Sequence, residues 1–211
     1  AQYSGLLLCI IILFTRYKDI LIKIDINTFF NKYELVKFFK VNTDIFLRTI
    51  CLILVFTFIP SEGAKYGDLV LAINTLLMQF FTLFSYIMDG FAYAGEALIG
   101  RYIGAKDKKS LISVVKKLFL WGISISIIFI IIYALFGQQL LWIFTDHINV
   151  IQATNEYYFW VLVVPLAGFS AFLWDGIYIG ATASKYMRNA MFIATSIFFI
   201  IYYSLNSYMG N

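Results

Sequence analysis

NTLLMQFFTLFSYIMDGFAYAGEALIGRYIGAKD, residues Asn74 to Asp107, is the stretch that decides the fold class. It begins as an apolar run long enough to cross a bilayer as a helix. Asp89 and Glu96 interrupt its later part, and Gly100, Gly104 and a basic cluster mark its exit. A charged side chain near the bilayer centre costs about 2.5 to 3.5 kcal/mol on insertion scales, so such residues face a bundle interior or a wet cavity. Asp89 is therefore the first candidate for function. The competing account has Asp89 capping a helix break at Gly90 and Glu96 lying at headgroup level near Arg101.

The rest of the chain shares this character. Hydrophobic residues make up 62% of its 211 residues, aromatics 19% and charged residues 13%, with a mean hydropathy of +0.84. That balance excludes a soluble globular domain. Apolar residues fall in runs of about 17 to 25, the length that spans hydrocarbon as helix, not in the alternating segments of about 10 that build an outer-membrane barrel. The expected fold is all-α, a polytopic transmembrane helix bundle. The net charge of +4 comes from residues spread over short loops, which points to the anionic lipid surface and away from nucleic acid. Cys9 and Cys51 stand singly in apolar runs and read as small core residues. The stretch Gln138 to Asn155, with Asp146 and the single histidine His147, and Glu156 beyond it, offers too few ligands for a metal and reads as a solvated loop. With no HExxH and no Cys/His set, nothing suggests an enzyme or a cofactor.

Cutting the chain at its polar interruptions gives six candidate spans, about 1–15, 44–59, 68–100, 118–136, 157–180 and 189–209. The first has no charged leader and no cleavage pattern, so it reads as a membrane helix already under way, with an upstream portion expected. A basic connection follows, 16–43. Its KYELVKFFK segment, Lys32 to Lys40, suggests a short amphipathic helix lying in the interface, with a calmodulin-like target as the alternative. Asp44 and Arg48, four apart, can pair on one face of the second span, which is expected to stop at Pro60. Gly90 and Gly95 are candidate bends in the long third span; Pro165 and Gly168 are candidate hinges in the fifth. Connections 16–40, 101–117 and 185–188 hold every Lys and Arg except Arg48 and Lys65, which makes those three cytoplasmic by the positive-inside rule.

Asp89-Gly90 and Asp175-Gly176 form an internal echo, each late in a span descending toward the cytoplasm. The stretches around them, DGFAYAGEALIGRYIGAKDKKSL and LWDGIYIGATASKYMRNAM, together with TDIFLRTICLILVF, resemble the multidrug and toxic compound extrusion (MATE) family, in particular its DinF-like branch. The resemblance covers essentially the whole chain. It implies a plan of twelve helices in two lobes, on which 1–15 is the last helix of the first lobe, 16–43 the interlobe connection and 44–211 five helices of the second lobe, the remaining helices lying elsewhere. It further implies an antiporter in the bacterial inner membrane that exports amphipathic, often cationic compounds by alternating access, driven by H⁺ or Na⁺. Partners would be the lipid bilayer, small organic cations, the coupling ion and the first lobe of the same protein.

On that basis Asp89, Asp175, Gln79, Tyr86, Tyr178 and Trp174 are candidates for a substrate or cation cavity. Asp44, Arg48, Glu96 and Arg101 are candidates for gating or interface charges. Asp175 falls where another branch of the family places a cation-site aspartate; that branch pairs it with a glutamate, whereas this chain offers Arg48 and Thr49. In DinF-like members the coupling aspartates lie in the first lobe. Two alternatives remain: a lipid-linked oligosaccharide flippase, which an Arg- and Lys-rich cavity would favour, and a non-transporting assembly subunit.

Overall fold

The structure, a computed structural model, describes residues 2–16 and 31–209. Among these residues there are seven α-helices and no strand: α1 (Gln2–Arg16), α2 (Lys32–Lys65), α3 (Asp68–Gly104), α4 (Lys108–Phe144), α5 (Ile148–Glu156), α6 (Tyr158–Gly180) and α7 (Ser184–Met209). Helices α2, α3, α4, α6 and α7 are long and apolar enough to cross a membrane, and α1 is a shorter apolar helix. The chain divides into two compact units, 1–42 and 43–211.

The first unit contains α1, a run of exposed apolar residues in which Thr15 Oγ1 donates back to the Ile11 carbonyl at 2.8 Å. Cys9 is exposed here, unlike Cys51, which is buried as expected. Residues 17–30 of the basic connection lie outside the described residues. The Asn31 side chain caps α2 by accepting from the Tyr33 backbone N–H at 3.0 Å. Nothing between Lys40 and Asp44 breaks the helix, so the amphipathic segment expected to be a separate interfacial helix is instead the first turns of α2.

Further boundaries differ from expectation, among them the start of α4 at Lys108, ten residues before the expected 118. Helix α2 runs through Pro60 to Lys65. A proline inside a membrane helix removes one backbone bond, a loss that neighbouring groups can absorb. The expected loop 138–155 is mostly helix, because α4 extends to Phe144 and α5 follows after a three-residue link. Gln138 Nε2 donates to Asn155 Oδ1 at 3.3 Å across that link, while Ile151 and Thr154 bury the inner face of α5. Helix α7 starts at Ser184, before Asn189, because the turn at 181–183 is tight.

Helices α3, α4 and α6 form the core of the second unit. Along α3, Leu76, Phe80, Phe84 and Met88 recur every fourth residue and are buried, the stripe that one face of a helix presents. They meet Phe129 and Tyr133 of α4 edge to face, with Phe80–Tyr133 centroids at 5.2 Å and Phe84–Phe129 at 5.3 Å. Such pairs add to the area they bury. The Tyr133 hydroxyl donates to the Phe80 carbonyl and the Tyr158 hydroxyl to the Tyr133 carbonyl, both at 2.8 Å. Helix α4 therefore has one buried side.

Where α3 crosses α6 the contact is backbone to backbone. A Cβ placed on Gly176 would lie 2.2 Å from the Ala92 carbonyl oxygen, and one on Gly180 would lie 2.4 Å from the Glu96 carbonyl oxygen. The Gly176-x-x-x-Gly180 spacing thus removes side chains from consecutive turns, the device by which membrane helices approach closely. Both helices end in the same turn. Ala105, Lys106 and Asp107 return their N–H groups to Arg101, Ile103 and Tyr102, as Ala181, Thr182 and Ala183 do to Ile177, Ile179 and Tyr178. The left-handed residues of these turns are Lys106 and Thr182. Since Glu96 faces Gly180, α3 projects eight residues, about 12 Å, beyond the end of α6.

Helices α2 and α7 run parallel along the outside. Asp44 meets Ser184 and Arg188, Phe58 meets Phe198, Phe199 and Tyr202, and Glu62 accepts from Tyr202. The Ser184–Asp44 and Tyr202–Glu62 bonds each join residues 140 apart, as the Phe58–Phe198 contact does, so one register holds from Asp44 to Glu62.

Candidate functional site

Asp44 and Arg48 lie one turn apart on α2 yet do not pair with each other. Asp44, only 2% exposed, accepts from Ser184 Oγ at 2.9 Å and from Arg188 Nη1. Arg48 Nη2 bonds Asp175 Oδ2 of α6 at 2.7 Å, with about a quarter of each side chain exposed. The i, i+4 pairing expected on one helix loses to partners on two others. A buried carboxylate gains more from a serine hydroxyl and a guanidinium at fixed positions than from one flexible neighbour.

The two acids singled out in the sequence lie at nearly one level where α3 crosses α6, and Arg48 bonds one of them. Asp175 adjoins Gly176, which touches Ala92; Asp89 lies three residues before Ala92 on α3. Asp89 is half-buried in an unbroken helix, so it caps no break at Gly90. The guanidinium is incompletely used: Arg48 Nε is buried and has no hydrogen-bond partner.

Glu96 and Arg101 line an open recess of about 430 Å³ with Tyr93, Gly100 and Gly180, where α3 passes the end of α6. Gln79 is exposed and lies ten residues, about 15 Å, along α3 from Asp89. Tyr86 is 72% exposed. Trp174 and Tyr178 belong to an aromatic ladder: Phe119 meets Trp174 at 5.6 Å, Trp174 stacks on Tyr178 at 5.4 Å, and Tyr178 stacks on Tyr186 at 6.4 Å. Of the hinge candidates, Gly90 is open, Gly95 packs on Leu118, Pro165 is buried in the core and Gly168 is in van der Waals contact with Phe84 and Phe172. Helices α3 and α6 are each continuous through them. Among the described residues no cluster of His, Cys, Asp or Glu could hold a metal ion.

Sequence reasoning missed Ser184 and Arg188 as partners of Asp44, because nothing local links positions so far apart. It also passed over Gly176-x-x-x-Gly180, whose spacing was legible.

Known proteins can now be set beside this geometry. The MatE family model matches residues 45–204. DNA damage-inducible protein F of Escherichia coli (strain K12) is 34% identical over 170 residues, which is 81% of this chain and 37% of that relative. The chain thus spans little more than a third of the relative's length. No solved structure matches. A family match over most of a multi-helix membrane bundle, carried through both the core helices and the outer pair, places the chain in the MatE family, whose members are transporters rather than enzymes.

Proposed function

We propose that this chain is part of a cation-coupled antiporter, with 44–211 supplying five helices of its second lobe, that exports amphipathic, often cationic compounds by alternating access, with H⁺ or Na⁺ as the coupling ion. The observation that carries the reading is the placing of Asp89 and Asp175 at nearly one level of an apolar bundle, where the single guanidinium of Arg48 bonds Asp175. Acids outnumber bases there, and the surplus negative charge is one that a mobile cation neutralises. The match with the E. coli relative supports a multi-pass protein of the inner membrane. In it the basic connections 16–40, 101–117 and 185–188 would face the cytoplasm and a first lobe would complete the cavity.

The test is ethidium efflux from vesicles carrying the full-length protein under an imposed pH or Na⁺ gradient. Efflux should follow one of the gradients and fall at least about tenfold in Asp175→Asn, the scale set by losing a charge-assisted contact of about 1.4 kcal/mol or more. Efflux indifferent to both gradients would defeat the antiporter reading.

A further inference from the structure

We propose that α2 and α7 move as one body against α3, α4 and α6, and that Arg48 is the positioning residue that transfers from Asp175 to Asp89 as they do. Three observations carry this. First, α2 and α7 are tied to each other at three levels, by Asp44 with Ser184 and Arg188, by the rings around Phe58, and by Glu62 with Tyr202. Ties spaced from Asp44 to Glu62 of α2 and from Ser184 to Tyr202 of α7 hold the relative position of those stretches. Second, among the described residues Arg48–Asp175 is the one ion pair that joins this outer pair to the core. Side-chain contacts also cross that boundary, Phe56 with Phe81 and Tyr178 with Tyr186, and such contacts oppose sliding less than the backbone approach that closes the core at Gly176 and Gly180.

Third, Arg48 serves one acid and keeps a buried donor in reserve. Its Nη2 serves Asp175 while its Nε is buried without a partner. The close passage of Ala92 by Gly176 brings Asp89 to nearly the level of Asp175. In the transfer no covalent bond changes: the guanidinium keeps its charge, leaves one carboxylate and bonds the other. Asp175 is then free to meet a cation while Asp89 is neutralised, so the inward and outward forms differ in which acid is available. This deepens the antiporter reading and rests on it for the trigger.

Electron–electron resonance distances on the full-length protein in nanodiscs, with native cysteines replaced, provide the test. Spin labels go at the exposed positions Ile53 on α2, Ile197 on α7 and Ile128 on α4. On adding saturating ethidium, the 53–197 distance should stay fixed while the 53–128 distance shifts by about 3 to 5 Å, up to the length of a helical turn. Arg48→Lys should keep the shift; Arg48→Gln and Asp89→Asn should abolish it. Equal shifts in both distances, no shift in either, or a shift that survives Arg48→Gln would overturn the proposal. Gradient-driven efflux with unmoved distances would spare the antiporter and remove the two-body movement. The expected shifts in a protein that moves no ethidium across vesicles would do the reverse.

Discussion

The core trio α3, α4 and α6 and the outer pair α2 and α7 solve the same problem in different ways. In the trio, buried aromatic stripes interlock and glycines let two backbones touch. In the pair, no residue of the most apolar stretch of α7 is buried, and association relies on long side chains: an aspartate, an arginine, a glutamate and a set of rings. The difference teaches where rigidity and adjustability lie. Contacts made by backbone have one arrangement, whereas contacts made by charged side chains can be exchanged for others of the same kind.

That contrast can be broken most sharply at Gly176. Gly176→Val should cost at least about 4 kcal/mol, since its Cβ would press on the Ala92 carbonyl, and no side chain can yield. Thermal unfolding of the purified protein measures it. A small effect would mean that the crossing is not fixed by backbone. Next comes Arg188→Ala, which strips the buried Asp44 of its guanidinium and should cost about 3 kcal/mol. Adding Asp44→Asn should recover part of that loss, a result that a purely apolar pair of helices would not give. Within the trio, Tyr133→Phe keeps the rings and removes one hydrogen bond to Phe80, for a loss of about 1 kcal/mol.

The smallest expected effect lies at the start of α4, where the Ser110 side chain first and its backbone N–H next hold the Asp107 carboxyl below its ordinary value of 3.8. A depressed carboxyl contributes stability above the ordinary value and loses it as the pH falls through the folded one. Exchange at the Ser110 amide should therefore show extra opening below about pH 4, and less pH dependence in Asp107→Asn.

Much of the core trio was legible in the sequence. Runs of apolar residues gave the spans, and the acids Asp89 and Asp175 stood out because hydrocarbon penalises them wherever they fall. The outer pair was not legible in the same way. Asp44 and Arg48 sit at a spacing that predicts a local bond, and only the arrival of α6 and α7 decides otherwise. Pro60 and the polar stretch after Phe136 carried the usual marks of an end, yet helix continues through the first and occupies most of the second. Gln79 and Tyr86 share a helix with Asp89 and are exposed.

The constant offset between α2 and α7 has a consequence for how such chains can vary. One extra residue inserted between Asp44 and Glu62, or between Ser184 and Tyr202, would rotate everything beyond it by about 100°. Polar partners past the insertion would then face lipid. Growth or shrinkage of this protein in its lineage is thereby confined to the connections, and gaps in an alignment of its relatives should avoid both of those intervals.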